Sequence, residues 1–531
     1  EAWGVAKPAC GANPSQPVDP EMRPDRRAGN EGEVTMRDTA FFDLSDRLCQ
    51  ELHGEEVLFC NLEGEDSDFV RLNGNRIRQA GGVSAWGLSL DLIAGQRQAQ
   101  ASCDLSGDRD ADLARARSLL QRLRERLPHV PEDPYLHYST TPTESYRVQG
   151  SGPEVGAGTP SQDKDPGGDD QSEGEAYGGR EEPGVPKGSR GRDDSGVRPG
   201  GNGGSATSDD WDSADVIADL TQAAAGLDLV GIWASGELSA GLVSSLGHRH
   251  WHASRSFNLD FSCYLAGDKA VKANLSGQAW EPRALATKLA GVRRDLEILA
   301  RPARVIPPGR YRAWLAPAAV AELLELLAWG GFGLKDHRTA QTPLLRLARG
   351  ERHLDPRITL HEAHGRGLVP GFTAEGFVKP ATVTLIAAGR YQDCLVDSRS
   401  AREYGQGVNA AGEAPESLAL EAGDLPMADM WRRLDTGLAI GNLWYLNYAD
   451  RNDCRITGMT RFATFWVENG EPVAPVEVMR FDDSLYHLWG DRLEGLTRER
   501  ELIVSPETYE GRSRASALLP GMLVSGIDLA L

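Results

Sequence analysis

Short apolar runs alternate with turn-forming pairs in the first part of the chain. Asn73-Gly74, Gly81-Gly82 and Ala94-Gly95 follow successive runs, and Asn-Gly and Gly-Gly are typical of tight turns between antiparallel strands. The pattern therefore predicts a β-meander. Its predicted strands are residues 57–60, 69–72, 77–79 and 83–92.

Helical periodicity follows this meander. Residues 110–127 place leucines on one stripe of a helix, which predicts packing against the sheet. Residues 213–225 predict a second helix, and residues 229–235 and 240–245 predict two further strands.

The remaining chain is mostly strand-like. Strands are predicted at 257–265 and 311–316, and helices at 282–300 and 317–329, the latter opening with Pro at its first position. A hairpin is predicted from residues 461–467 and 473–480 around Asn469-Gly470. Helices and strands do not alternate as βαβ units, so the sequence predicts an α+β protein. Its expected parts are an N-terminal mixed α/β domain built on the antiparallel meander and a β-rich C-terminal domain.

The composition breaks sharply at residues 151–210. This segment holds 16 Gly and only four large apolar residues, so it cannot bury enough surface to offset its ordering entropy. We expect a disordered acidic insertion at about 148–212, either a tolerated surface loop or a regulatory segment. The expected organisation is a disordered extension (1–35), an interrupted N-terminal domain (36–255) and a C-terminal domain (256–531).

The formal net charge of −21 disfavours a nucleic-acid partner or an anionic membrane surface. No apolar run approaches the roughly 20 residues of a membrane helix. Seven single cysteines without a CxxC pair favour a reducing compartment. We therefore expect a soluble, cytoplasmic protein without nucleic-acid or membrane partners.

The string HEAHGR at residues 361–366 is near a zinc-peptidase motif, which needs two His one helical turn apart with a Glu between them. Positions 365 and 366, where HExxH and HExxxH place the second His, hold Gly and Arg. The flanking residues favour a strand and a turn. A turn with locally hydrogen-bonded imidazoles is the favoured interpretation, and His361 and His364 remain alternative metal ligands.

A second histidine group lies on one face of an extended segment. His248, His250 and His252 would bind a metal only if a carboxylate faced them. Asp482 and Asp483 suggest an acid–base pair, but neighbours on a strand point to opposite faces, which favours a turn cap. The chain has no phosphate-binding GxxxxGK[ST] loop and no GxSxG nucleophile elbow.

Longer strings in the C-terminal half resemble the TldD/PmbA family, whose members are described as metallopeptidases. They are NLWYLNYADR (442–451), RITGMTRF (455–462) and VMRFDDSLY (478–486). Shorter family-like strings are SDFVR (67–71), RQAG (78–81) and DKAVK (268–272). The resemblance covers roughly residues 40–147 and 213–531.

The resemblance implies a division of labour between two branches. TldD-like members carry HExxxH on a helix, with two His for zinc and a Glu as general base. PmbA-like (TldE) members lack it and pair with a TldD-like subunit. The corresponding helix is expected at 317–331, where the key positions fall near Glu325, Leu326 and Gly330, none of them His. Glu322 and Glu325 are interpreted as its solvated edge rather than as ligands.

The sequence therefore predicts a non-catalytic subunit without its own catalytic residues or cofactor, and zinc on a TldD-like partner. Unfolded or extended peptides are the expected substrates, and a homodimer is an open alternative. Aromatic and Arg side chains are typical interface anchors, although they equally suit a hairpin core. The candidate peptide or partner contacts are Trp444, Tyr445, Tyr448, Arg451, Arg455 and Arg461.

Two other hypotheses remain. One is a stand-alone peptide-binding or scaffold protein that retains the fold. The other is a self-sufficient metalloenzyme, which requires His248, His250, His252, His361 and His364 to converge in space.

Overall fold

The computed structural model describes residues 30–148, 211–509 and 511–530. The expected insertion at about 148–212 and most of the expected extension at 1–35 lie outside these residues. The first helix begins at Asn30, ahead of the boundary expected at residue 36.

The N-terminal part combines one antiparallel-rich sheet with four helices among the described residues. In chain order its elements are α1 (Asn30–Gln50), β1 (Val57–Asn73), β2 (Arg76–Ala94), β3 (Arg97–Asp104), α2 (Arg109–Arg126), β4 (Glu144–Val148), α3 (Ser213–Ala223), β5 (Asp228–Ser244), β6 (Arg249–Ala266), β7 (Lys269–Gly277) and α4 (Pro282–Leu299).

The predicted meander is present, but its strands are longer than expected. The four predicted segments merge into β1 and β2, which pair along their whole length. Gly74 and Asn75, both with positive φ, form the two-residue turn. Gly81-Gly82 lies inside β2 and makes no turn, because backbone pairing with β1 continues through polar and glycine residues alike.

The sheet also crosses the expected domain boundary at 255/256. Its order is β3-β2-β1-β5-β6-β4, with β7 beside β6. The two strands expected at 229–245 form the single strand β5, which pairs with β6 from Asp228↔Tyr264 to Val243↔Arg249. The boundary expected after residue 255 is therefore wrong, since it would cut β6, and the N-terminal sheet extends to the end of β7.

Two large apolar clusters pack on this sheet. Helices α1 and α2 bury leucines against β1, β2 and β3. Helices α3 and α4 pack with β5, β6 and β7, and the same cluster continues into Ala439, Phe465 and Leu523 of the C-terminal part. The second core therefore joins the two parts of the molecule.

The C-terminal part is β-rich, as expected. Its elements are β8 (Gly309–Leu315), α5 (Pro317–Ala328), α6 (Leu334–Arg338), α7 (Leu345–Ala348), β9 (Leu360–Glu362), β10 (Val383–Ala387), β11 (Arg390–Tyr391), α8 (Ser398–Tyr404), β12 (Ser417–Leu420), α9 (Met430–Leu434), β13 (Gly437–Asp450), β14 (Arg455–Glu468), β15 (Glu471–Pro475), β16 (Arg480–Ser484), β17 (Leu493–Val504) and β18 (Ser516–Leu529).

Five of these strands close into a ring. Strand β18 pairs with β16, β16 with β14, β14 with β13, β13 with β8, and β8 returns to β18. Helix α5 packs against β13 and β18 of this ring. The predicted Asn469-Gly470 turn is confirmed, with positive φ at both residues, although its second arm ends at Pro475 rather than at residue 480. No described helix is both long and apolar enough to cross a membrane.

Candidate functional site

Helix α5 carries carboxylates but no imidazole. Its leucines are buried, Glu322 is half-buried and Glu325 is exposed. Burial raises the pKa of the Glu322 carboxyl to about 6, while Lys272 opposes this shift. Catalytic zinc is commonly bound by the neutral imidazole nitrogens of histidines. Helix α5 has no histidine and therefore cannot supply such ligands.

A cleft of about 690 Å³ opens beside the first turn of α5. Residues 271–276 of β7 line one side in succession, and α4 lines another. Trp314, Trp431 and Phe465 supply apolar surface, and an ion pair of 2.9 Å between Lys288 and Glu501 lies at the wall. The cleft is thus an apolar groove with a strand along one wall.

An exposed aromatic patch lies on the β13–β14 pair, and we define it as Trp444, Tyr445 and Arg461. Trp444 is 43% exposed and Tyr445 is 77% exposed. The Arg461 guanidinium lies 4.2 Å from the centre of the Trp444 ring. A bulge in β13, where Tyr445 takes a φ of 55°, turns these rings outward. The patch offers apolar area and a cation on one surface.

Tyr448 and Arg451 have a different role from that patch. The Tyr448 hydroxyl donates to the Leu326 carbonyl at 3.0 Å. Arg451 donates to the Trp329 and Gln341 carbonyls. Both side chains therefore brace the end of α5. Arg455 is exposed and lies opposite Asp450 at the tip of the hairpin.

The three histidines near the start of β6 are buried, and two of them contact hydroxyl groups. Both ring nitrogens of His250 lie within hydrogen-bond distance of hydroxyls, those of Thr143 and Ser145. His248 contacts the Ser244 hydroxyl, and His252 contacts the Leu368 carbonyl. Burial lowers the pKa of His250 to about 4 and, together with nearby cations, that of His252 to about 3. These contacts indicate neutral core imidazoles.

His361 and His364 point to different surroundings. His361 contacts the Thr384 hydroxyl and the Glu421 carboxylate, whereas His364 is buried beside Glu362. Within the described ranges, the one group of three potential metal ligands whose ligand atoms lie within 4.8 Å of one another is Glu362, His364 and Glu416. The five histidines of the self-sufficient metalloenzyme hypothesis therefore do not converge, because they belong to separate parts of the core and surface.

The Glu362, His364 and Glu416 group, called the EHE cluster below, lies between β9 and β12. The Glu362 carboxylate accepts the backbone N–H groups of Glu416 and Ser417 at 3.1 and 2.6 Å. Lys379 forms an ion pair of 2.6 Å with Glu416. Burial raises the pKa of Glu362 to about 7, against the opposing effect of its backbone hydrogen bonds.

Asp482 and Asp483 face opposite sides of β16, as strand geometry predicts. Asp482 pairs with Arg480 at the surface. Asp483 is buried and bonded to Arg492 at 2.8 Å and to the Asp528 N–H at 3.0 Å. The two carboxyls thus form no acid–base pair.

The family profile described as the PmbA/TldA metallopeptidase C-terminal domain matches residues 308–531, from just before β8 to the end of the chain. This C-terminal domain belongs to the TldD/PmbA family. No curated protein matches the chain.

Solved structures extend the likeness to the TldD/PmbA fold as a whole. TldE from Thermococcus kodakarensis is 13% identical with a TM-score of 0.67, over 93% of this chain and 100% of its own. A proposed modulator of a DNA gyrase from Thermotoga maritima is 14% identical with a TM-score of 0.60, over 94% and 100%. Another from Bacteroides thetaiotaomicron is 15% identical with a TM-score of 0.62, over 93% and 99%. At these identities the likeness establishes the shared α+β fold.

Two features of this TldD/PmbA-type domain were missed from sequence. Glu416 reaches Glu362 through the pairing of β9 with β12, and Lys379 is adjacent to Pro380, whose carbonyl contacts His364. No spacing rule links these positions. The cleft arises where β7 meets the C-terminal ring. The one sequence signal near this cluster was the HEAH string, in which Glu362 and His364 are two residues apart.

Proposed function

We propose that this chain is a PmbA/TldE-like, non-catalytic subunit of a TldD/TldE-type zinc metallopeptidase that degrades unfolded proteins or matures peptides. The observation that carries the proposal is helix α5. It occupies the stretch where the family resemblance places the zinc-binding helix, yet it presents leucines, Glu322 and Glu325 and no imidazole. Catalytic zinc is then supplied by an HExxxH-bearing partner.

The aromatic patch supports a protein partner. Trp444 and Tyr445 leave large apolar rings in solvent, and Arg461 lies against one of them. Trp, Tyr and Arg are the residue types that dominate binding energy at protein interfaces. The patch lies on strands of the TldD/PmbA-type ring, whose β13 also supports α5. A partner docked there would therefore lie near α5, the helix without imidazole ligands.

The cleft supports a peptide substrate. Among the described strands, β7 pairs only with β6, and residues 271–276 of β7 line the groove. An extended peptide can add to such an edge through main-chain hydrogen bonds, which tolerate many sequences. The aromatic walls suit the apolar side chains that unfolded proteins expose. The net charge of −21 also fits a peptide ligand better than a nucleic acid.

The test is reconstitution with a TldD-like homologue that carries HExxxH. We expect a hetero-oligomer by size-exclusion chromatography with light scattering, and cleavage of an unfolded protein by the complex but by neither subunit alone. The double variant Trp444→Ala/Tyr445→Ala should weaken association by about 100-fold, as loss of interface hot spots does. Tyr264→Ala/Leu265→Ala, a second exposed pair, is the matched control and should associate normally.

Cleavage by this chain alone, sensitive to a chelator, would refute a non-catalytic role. A chain that binds unfolded peptide but no HExxxH homologue would instead favour the stand-alone binding protein.

A further inference from the structure

The EHE cluster places an imidazole and two carboxylates around one buried point. Glu362 is 0% exposed and His364 is 3% exposed, while Glu416 approaches from a half-exposed position. We propose that Glu362, His364 and Glu416 bind a divalent transition-metal ion, zinc, at a site separate from α5. The proposal does not rest on the function proposed above, because it concerns other elements.

The hydrogen bonding of His364 fixes its tautomer. Nδ1 lies 3.0 Å from the Pro380 carbonyl oxygen, and a carbonyl only accepts, so Nδ1 carries the proton. The lone pair of neutral His364 is therefore on Nε2, which lies 3.5 Å from a Glu362 carboxylate oxygen. Metal-bound histidines are commonly oriented by such a hydrogen bond from their other nitrogen to a carbonyl.

Two ligand atoms of the cluster lack partners. His364 Nε2 and Glu362 Oε2 are both buried without a hydrogen bond. Buried polar atoms are nearly always paired, and leaving one unpaired costs free energy. Nε2 lies 3.5 Å from the other Glu362 oxygen, Oε1, which accepts the backbone N–H groups of Glu416 and Ser417. An imidazole lone pair and a carboxylate thus lie side by side, and a positive centre would stabilise both. A metal ion bound by both would satisfy the unpaired atoms together.

The donor set selects the ion. One imidazole nitrogen with two carboxylate oxygens suits zinc, whereas calcium and magnesium prefer oxygen alone. Zinc ligands at 2.0–2.2 Å lie about 3.4 Å apart in a tetrahedron, close to the 3.5 Å between His364 Nε2 and Glu362 Oε1. The half-exposed side chain of Glu416 can move to complete the set.

Lys379 occupies the neighbouring position. Its buried ammonium pairs with Glu416 at 2.6 Å and partly neutralises the two carboxylates. A zinc ion bound by Glu416 would bring a second positive charge to the carboxylate that pairs with Lys379, and the two cations would repel each other. Zinc and Lys379 therefore compete for the cluster, and removing the lysine ammonium should strengthen zinc binding.

The test uses the full-length chain with its affinity tag removed and all metal stripped by a chelator. Isothermal titration calorimetry with zinc chloride should show binding at this site. Zinc chloride should also raise the melting temperature of the protein, whereas calcium chloride should leave the melting temperature unchanged. Glu362→Gln and His364→Ala should each weaken zinc binding by about 100-fold. His361→Ala, from the same HEAH string but outside the cluster, is the matched control and should bind as the parent does.

Lys379→Met provides the second arm and does not remove a ligand. It should tighten zinc binding by on the order of tenfold, because the competing ammonium is gone. Circular dichroism identifies any variant that fails to fold. The proposal is overturned if the parent binds no zinc, if His364→Ala binds as tightly as the parent, or if folded Lys379→Met binds more weakly.

Discussion

Gly236 lies where two long strands pass too closely for a side chain. It takes a φ of 141° in β5, and a Cβ there would overlap the Asp66 carbonyl and Ser67 of β1. We predict that Gly236→Ala lowers the free energy of unfolding by about 3 kcal/mol, since both strain and overlap must be relieved. Urea denaturation measures the change.

Gly81→Ala is the matched control for that substitution. Gly81 also lies in a long strand of the same sheet, but nothing lies within 4 Å of its added Cβ and its φ is not positive. It should stay within about 0.5 kcal/mol of the parent. Equal losses in both variants would show that glycine flexibility, not close approach, governs these strands.

His252 makes the folded state sensitive to acid. Burial, with Arg514, Arg147 and Lys379 nearby, lowers its pKa from 6.5 to about 3. Between these values the unfolded chain binds more protons than the folded one, so stability falls as pH drops below about 6.5. Between pH 7 and pH 5 this one group should remove about 2 kcal/mol.

His252→Gln removes that titration and keeps an amide donor for the Leu368 carbonyl. We expect the variant to lose about 2 kcal/mol less stability than the parent on going from pH 7 to pH 5. Urea midpoints at the two pH values measure this difference. Parallel losses in both proteins would mean that His252 protonates in the folded state as readily as in the unfolded state.

The two neighbouring aspartates of β16 point to opposite faces of the strand and differ in burial. Asp483 is buried against Arg492, and removing one partner of a buried ion pair leaves an uncompensated charge. We predict that Asp483→Asn lowers the free energy of unfolding by about 3 kcal/mol. Asp482 is only partly buried and pairs with the exposed Arg480, so Asp482→Asn should change it by less than about 1 kcal/mol. Thermal unfolding of the two variants compares them, and a larger loss for Asp482→Asn would contradict the assignment of faces.

Helices could be predicted from the sequence where one of their faces is apolar. The leucine stripe of α2 and the Pro-initiated α5 were both identified, because helical periodicity is a local signal. The lengths of β1 and β2 were not, because β1 is paired on both sides and its backbone bonds hold polar residues in the strand. The domain boundary expected at 255/256 falls inside β6 for the same reason, because backbone pairing with β5 continues through these residues. Only half of the EHE cluster could be found from sequence, since Glu362 and His364 lie two residues apart whereas Glu416 and Lys379 reach them through tertiary contacts.

At the scale of the whole molecule, one segment ties the C-terminal domain to the N-terminal sheet. Arg512 lies between β17 and β18, and its guanidinium donates to Ser67, to the Gly236 carbonyl and to the carbonyl and hydroxyl oxygens of Ser256. Burial lowers its pKa to about 10. Arg514 bonds the Glu63 carboxylate and the Ser239 carbonyl. Both side chains thus cross between the domains.

Replacing both arginines should uncouple the domains. In Arg512→Met/Arg514→Met the charged hydrogen bonds across the joint are lost, while the shared apolar core around Phe465 and Leu523 remains. We predict that calorimetric unfolding, expected as one cooperative transition in the parent, separates into two, because coupling between folding units depends on the interactions that join them. Arg432→Met, an exposed arginine paired within its own segment with Asp429, should leave the transition unchanged. One unaltered transition in the double variant would mean that the apolar core alone joins the domains.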